Sequence, residues 1–413
     1  MYDFFILIYA CIVRLAQPFN PKARLMIDGH SEVFATLERG IDPSAKYIWF
    51  HAASLGEFEQ GRPVIEEIRR LHPEYKILLT FFSPSGYEVR KNYPLADIIC
   101  YLPFDRSKNV QRFLKVVRPR IAIFIKYEFW YNYLTELHKQ EIPTYIISAI
   151  FRPSQLFFKW YGIRARKALS YYASICVQDE DSKTLLAKVG IRNVSVCGDS
   201  RFDRVVDIRQ EAKDLPLIQQ FASSGTCADE FKTMVAGSSW PKDEDLLLHY
   251  FNNSPQLKLI IAPHEIHESH LADIESKVKR PCIRYSHAKG KNLADYDCLI
   301  IDSFGLLSSA YSYGQIAYVG GGFGVGIHNV LEAAVYGIPV IFGPNYHKFR
   351  EAIQLIEAGG GYSVENHDSF LALMDELMHY PEVLEAVGKQ AGDYVYSNTK
   401  VVDRVLAELN AHL

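Results

Sequence analysis

Short apolar runs alternate with amphipathic stretches along most of the chain. Tyr47–His51, Lys76–Phe81, Asp97–Tyr101, Arg120–Ile125, Thr144–Ser148, Ala173–Gln178 and Val194–Cys197 read as strands. Between them, residues 57–71, 84–91, 107–117, 128–139 and 180–189 repeat apolar side chains at helical spacing. Apolar strands separated by helices predict a parallel sheet covered on both faces. The rhythm fades between Asp203 and Phe231, where Pro216, Gly225 and mixed polar residues intervene. It resumes with strands Lys232–Ala236, Lys258–Ala262, Cys298–Ile301, Gln315–Val319 and Pro339–Phe342, alternating with helices over 243–251, 267–278, 305–311, 329–336 and 349–358. The expected fold is α/β, with two Rossmann-like doubly wound domains. Residues 21–205 make the first domain, 206–230 a linker and 231–413 the second domain. The last helix, Val401–Leu409, is a candidate to cross back to the first.

Residues 1–20 stand apart. Phe4–Leu15 is strongly apolar, interrupted by Arg14 and followed by Pro18 and Pro21. It is too short for a standard membrane span, and it lacks the cationic start and small-residue cleavage site of a signal peptide. Two readings stand: a helix lying in a bilayer interface, or a helix packed on the body of the protein.

Composition narrows the class. The 413 residues are 48% hydrophobic and 23% charged, as in an ordinary folded core of two or three domains. A net charge of -3 hides an asymmetry. Residues 1–200 hold 27 Lys and Arg against 20 Asp and Glu, and the remainder 18 against 28. A basic first half suits an anionic partner, phosphorylated lipid or nucleic acid. The run from Arg106 to Arg120 reads equally well as a solvated helix face. The 7 cysteines are scattered, without CxxC spacing. They read as buried free thiols in a reducing compartment, not as a disulfide framework or a zinc site.

Candidate chemistry clusters in loops that follow strands. Gly320–Asn329 is a glycine-rich turn between a strand and a helix, where backbone N–H groups can face a phosphate. No Gly-Lys-Ser/Thr follows, so it is not a Walker A loop, and the third glycine of GxGxxG is out of place. Asn329 and Glu332 are placed either to cap the helix or to hold ribose hydroxyls. Ser238–Ser239 and Pro263–His264 follow two other strands of this half. In the first half, His51–Glu57 follows the first strong strand, and Lys126–Trp130 follows another. Glu57 is a candidate general base. A helix start lowers a carboxyl pKa unless burial or another carboxylate opposes it.

Together these segments resemble the 3-deoxy-D-manno-octulosonic acid (Kdo) transferase family, glycosyltransferase family 30. The resemblance rests on HxxSxGE at His51–Glu57, the acidic–aromatic turn Glu128–Trp130, GDSRFD at Gly198–Asp203 and PHE at Pro263–Glu265. GGGFGxGxHNxLE at Gly320–Glu332, PVIFGPN at Pro339–Asn345 and Phe349 complete it, in consistent order over about residues 50–400. It implies a GT-B fold and inverting transfer of Kdo from CMP-β-Kdo to the 6′-hydroxyl of a phosphorylated lipid A precursor. The setting it implies is the cytoplasmic face of a Gram-negative inner membrane, with peripheral attachment or one N-terminal anchor. It implies no metal or other cofactor and no nucleic-acid partner. Glu57 would be the catalytic base. His51, Ser54, Gly56, Glu128, Trp130 and Arg152 would form the acceptor side. Arg201, Ser238, Ser239, Pro263, His264, Gly321, Gly322, Gly324, His328, Asn329 and Glu332 would form the donor side. The chain departs from the family pattern at Trp240, where the family has histidine, and at Ala262, where it has arginine. The rival readings are a UDP-sugar transferase, a sugar-nucleotide epimerase, or an inactive membrane-bound nucleotide-binding scaffold. An epimerase leaves the basic first half and apolar N-terminus unexplained, and Glu57 favours an enzyme over a scaffold.

Overall fold

A computed structural model describes residues 2–223 and 231–413. They divide into two compact units. One runs to Asp203 and includes Lys400–Leu413; the other is Arg204–Thr399.

The first unit is built on seven parallel strands: β1 (Lys46–Ala52), β2 (Tyr75–Phe81), β3 (Ile98–Tyr101), β4 (Ile121–Ile125), β5 (Thr144–Ala149), β6 (Ser174–Val177) and β7 (Val194–Val196). Their order is β3-β2-β1-β4-β5-β6-β7. β1 pairs with β2 and β4, setting Phe50 beside Leu79 on one side and Ile123 on the other. Helices cover both faces, so every residue of β1 after Lys46 is buried, which explains the near-continuous apolar run. Trp49 anchors one face against Phe113, Phe124 and Tyr133. Its indole N–H donates to Thr80 Oγ1 at 2.8 Å, so the buried polar atom is satisfied.

Helix Val401–Leu409 belongs to this first unit. Val401, Val405 and Leu409 face its core at four-residue spacing. Asp203 accepts the N–H groups of Lys400 (2.6 Å) and Val402 (2.7 Å) at the helix start. Helix Pro21–Gly40 went unread in the sequence because only Met26, Val33 and Leu37 are buried. Its start signal is nonetheless local: Pro21 opens it and the Asn20 side chain caps Lys22 and Ala23.

Helix Tyr2–Ala16 buries none of its side chains. It is tied to the body at its polar end. The Tyr2 hydroxyl donates to Asp105 Oδ2 (2.8 Å), and Asp3 accepts from Asn132 (2.6 Å) and Ser107 (2.9 Å). Among the described residues no helix is long and apolar enough to cross a membrane. At about 1.5 Å per residue this one reaches roughly 22 Å, short of a ~30 Å hydrocarbon core.

The second unit repeats the plan with β8 (Lys232–Ser239), β9 (Leu257–Pro263), β10 (Cys282–Arg284), β11 (Cys298–Ile300), β12 (Ile316–Val319), β13 (Val340–Phe342) and β14 (Gly361–Ser363). The order is β10-β11-β9-β8-β12-β13-β14, again parallel. β10 and β14, which the sequence did not show, are partly buried edge strands without a sustained apolar run. The segment read as a linker is largely helical where it is described, with residues 211–215 non-helical. Helix Arg201–Gln210 runs through the boundary, and helix Pro216–Ser223 buries Ile218 and Phe221. Residues 224–230, including Cys227, lie outside the described residues. The other six cysteines are free; four are buried, Cys282 is half-buried and Cys11 is exposed.

In each sheet the strand numbering reverses near the middle, between β1 and β4 and between β8 and β12. Open parallel sheets bind ligands at the carboxyl ends of the strands flanking such a switch. Four of the loops singled out in the sequence follow these strands, and Pro263–His264 follows the neighbouring β9.

Candidate functional site

In the first unit, β1 runs through His51 and Ala52 into helix Leu55–Leu71. Ser54 is its extended N-cap, and Glu57 sits three residues on. The Glu57 carboxylate folds back to accept the Ser54 N–H (3.0 Å) and hydroxyl (3.3 Å). This reciprocal bond is half of a capping box and fixes the carboxylate at the strand end. The Glu57 pKa is raised above the usual glutamate value, chiefly by burial and then by the charge of Glu128. Lys126, His51 and the Ser54 bond pull the other way without prevailing. Burial and a like charge therefore overcome the lowering expected at a helix start. Gly56 is exposed, and a Cβ there would meet nothing.

β4 supplies the facing loop. Helix Tyr131–Lys139 begins three residues later than expected, which leaves Glu128–Trp130 as a loop. Lys126 holds a left-handed φ of 71°, a cost for a side chain with a Cβ that is often found near functional sites. Glu128 and His51 are both buried and lie 3.0 Å apart, Oε2 to Nε2. Thr80 fixes the imidazole tautomer. His51 Nδ1 lies 3.1 Å from the Thr80 carbonyl, which only accepts, so Nδ1 carries a hydrogen. His51 Nε2 also accepts the Trp130 indole N–H at 3.2 Å. The Trp130 indole N–H also donates to Glu128 Oε2. Glu128 is locked from behind as well, its carbonyl accepting the Tyr172 hydroxyl at 2.6 Å.

Arg152 is exposed, and Arg201 is held by Asp199 through Nε (2.9 Å) and a terminal nitrogen (2.6 Å). Both exert charge on Tyr127, as do Glu57 and Asp179, while burial pushes that phenol up. The charges of Glu57, Arg152, Arg201 and Asp179 therefore all bear on Tyr127. Lys126 and Tyr127 were not singled out in the sequence although they occupy a loop that was.

In the second unit the glycine loop is organised by a residue the sequence did not nominate. Asp243 Oδ2 accepts the N–H groups of Gly321 (2.8 Å) and Trp240 (3.0 Å), and Oδ1 accepts the Tyr318 hydroxyl (2.8 Å). Gly321, at φ 93°, thus spends its N–H inside the unit. Gly324 spends its N–H on the Gly321 carbonyl (3.0 Å). Gly322 answers a packing need, because a Cβ there would sit 2.5 Å from Gly343 backbone. The Ser239 hydroxyl is likewise engaged, with Glu244 Oε1 at 3.0 Å. Glu244 in turn meets His270 Nε2 at 2.9 Å. The expected helix over 329–336 shrinks to Leu331–Ala334. One turn carries little macrodipole, so the helix-start argument for anion binding loses its force here.

What faces outward is different. Ser238 ends β8 in a left-handed conformation, φ 53°. His264 follows Pro263 at the end of β9, is exposed, and stacks on Trp240 with centroids 4.6 Å apart. His328 lies 4.6 Å from the His264 ring, and its Nε2 accepts the Trp240 indole N–H at 3.2 Å. That bond leaves the hydrogen on His328 Nδ1. Burial, then His264, lowers the His328 pKa, which keeps the ring neutral. Asn329 donates to Glu332 Oε1 (3.0 Å) and accepts the Leu331 N–H (3.1 Å). Burial raises the Glu332 pKa.

Residues 29–204 match the family model for 3-deoxy-D-manno-octulosonic-acid transferase (kdotransferase). The 3-deoxy-D-manno-octulosonic acid transferase of Aquifex aeolicus is 30% identical over 339 residues, covering 80% of this chain and 86% of that protein. The protein of the same name from Haemophilus influenzae is 26% identical over 418 residues, covering 98% and 95%. Among solved structures, UDP-GlcNAc 2-epimerase from Neisseria meningitidis superposes with a TM-score of 0.63 at 16% identity, over 88% of this chain and 100% of that one. MurG from Acinetobacter baumannii gives 0.57 at 11% identity, over 89% and 99%. At such identities the structural likeness carries the GT-B fold alone. Identity over nearly the whole length of the sequence relatives carries more: the chain belongs to the 3-deoxy-D-manno-octulosonic acid transferase family.

Proposed function

We propose that this chain is an inverting Kdo transferase that moves Kdo from CMP-β-Kdo to a hydroxyl of a phosphorylated lipid A precursor in lipopolysaccharide biosynthesis. The observation that carries the mechanism is Glu57. Its carboxylate is positioned by Ser54 at the switch point of the first sheet, and burial and Glu128 raise its pKa, making it a better base. Glu57 takes the proton as the acceptor oxygen bonds to the anomeric carbon of Kdo. The bond from that carbon to the phosphate oxygen breaks, and CMP departs as an anion. The leaving phosphate is already ionised, so this reading invokes neither a strong general acid nor a metal. Glu57 then returns the proton to solvent.

The acceptor side in this reading is the His51–Glu128–Trp130 set together with Ser54, Gly56 and Arg152. Its role is orientation: His51 and Glu128 hold the Trp130 indole N–H by hydrogen bonds, and the carboxylate of Glu57 is the base. On the donor side, Ser238, His264, the Nδ1–H of His328, and Asn329 with Glu332 are the groups offered to CMP. Gly321, Gly322, Gly324, Ser239 and Pro263 shape that surface rather than donate to it. Arg201, whose bonds go to Asp199, supplies positive charge. Trp240 takes the place of the family histidine by stacking on His264. The membrane setting rests on helix Tyr2–Ala16, whose Phe4, Phe5, Ile12 and Leu15 are exposed, and on the basic first half.

The test is transfer itself. Purified protein, given CMP-Kdo generated in situ and a lipid A precursor, should release CMP and form the glycosylated lipid. Absence of both product and CMP release overturns the reading.

A further inference from the structure

Residues 142–178 of the first unit contain no Asp or Glu, yet they carry Arg152, Lys159, Arg164, Arg166 and Lys167. At the centre of this stretch lies a loop with two unlike faces. Its inner face is fixed. Phe157 is buried and packs on Phe129, with ring centroids 4.7 Å apart. Arg166 donates to the carbonyls of Phe157 (3.0 Å) and Lys159 (2.8 Å), and a Cβ at Gly162 would collide with the Leu156 carbonyl. Its outer face is apolar and bare. Leu156 is 50% exposed, Trp160 86%, Tyr161 61% and Ile163 67%. The Trp160 and Tyr161 rings meet edge to face at 5.4 Å. Exposed apolar side chains held out by a rigid base are not a by-product of a loose loop, and folded chains rarely leave such a group without a partner.

We propose that the loop Leu156–Ile163 is a second membrane-docking element, seated in an anionic bilayer surface. The inference rests on the membrane setting proposed above and adds a site to it. Tryptophan and tyrosine favour the bilayer interface. Lysine and arginine without nearby carboxylates favour anionic headgroups. Arg164 and Lys167 are exposed beside the apolar group. The position also fits the chemistry: Phe157 rests on Phe129, the residue between Glu128 and Trp130 on the proposed acceptor side. A lipid substrate leaving the bilayer at this loop has a short path to those residues.

The test uses the full chain and phosphatidylethanolamine vesicles with and without phosphatidylglycerol. Trp160 is the one exposed tryptophan of the four, since Trp49 is buried and Trp130 and Trp240 are half-buried. Its emission should shift to the blue on addition of anionic vesicles, and the shift should vanish in Trp160→Phe while binding persists. The double variant Trp160→Ser/Tyr161→Ser should bind at least about fivefold more weakly with unchanged thermal stability. Lys167→Glu should weaken binding to anionic vesicles more than to neutral ones. If the parent protein binds no vesicles, the membrane setting and this inference fall together. If it binds, but Trp160 emission stays fixed and the double variant binds equally well, this inference alone is overturned. A concentration-dependent dimer abolished by the double variant also overturns it, in favour of a second copy on this face.

Discussion

The two switch points have the same topology and opposite chemistry. At the ends of β1 and β4 lie ionisable side chains: Glu57 leans on Ser54, and Glu128 lies against His51. At the ends of β8 and β12 the acidic residues are turned into scaffolding. Asp243 holds Trp240, Gly321 and Tyr318, and Glu244 holds Ser239 and His270. What remains for a ligand there is Ser238, a neutral histidine, stacked rings and the Asn329–Glu332 pair. In the proposed reading, one end moves a proton and the other holds the nucleotide without competing for one. The same fold plan supports both because the loops, not the strands, carry the difference.

The largest effect should come from Glu57→Gln. It keeps the acceptor for the Ser54 N–H and removes the base, so transfer should fall about 10²–10⁴-fold, with CMP affinity unchanged. The fold should not weaken. A carboxyl whose pKa is raised by folding adds stability only while protonated and loses it as pH rises through the folded value, so an uncharged side chain costs nothing at neutral pH. Undiminished transfer would remove Glu57 from the mechanism. Next is Gly322→Ala, which drives a Cβ into the backbone of Gly343 and should cost about 1–3 kcal/mol in denaturant unfolding. Gly324→Ala, where the nearest atom is 4.0 Å away, should be close to neutral. Equal losses at both positions would refute the packing account of the loop.

Trp240→Ala should weaken CMP binding by a smaller amount, about 0.5–1.5 kcal/mol, the scale of one aromatic pair. Burial depresses the His328 pKa, and losing the indole exposes the ring, so its titration followed by NMR should move upward. A fixed His328 titration would mean that Trp240 does not shape this site. The smallest effect belongs to Glu128→Gln. Removing that charge takes away one of the two influences raising the Glu57 pKa, so the acid limb of the rate profile should move down by less than about one pH unit. An upward movement would contradict the assigned coupling.

Periodicity made most strands and the doubly wound plan legible, because parallel strands buried on both faces must be apolar throughout. It lost β10 and β14, partly buried edge strands without a sustained apolar run, and helix Pro21–Gly40, whose buried stripe is sparse. Strand-end position located the loops, and Glu57 and His51 followed from them. What stayed hidden was which polar groups the fold itself consumes. Nothing in GGGFG says that Gly321 donates to a carboxylate 78 residues upstream. Nothing in the Ser238–Ser239 pair says that one hydroxyl is buried on Glu244. The first partnership depends on β8 lying beside β12, a contact that sequence spacing does not record, and the second on how the chain turns from β8 into helix Pro241–Asn253. Trp240, read as a departure from the family, becomes intelligible only beside His264 and His328.

The division of labour is tested most directly by the single-turnover transfer rate, followed across pH for the parent protein and Glu57→Gln at saturating donor. The parent rate should fall on the acid side with a midpoint above the ordinary glutamate value near 4.5. The small residual rate of the variant should show no such limb. The same acid limb in Glu57→Gln, or a parent rate flat down to that value, would contradict the account.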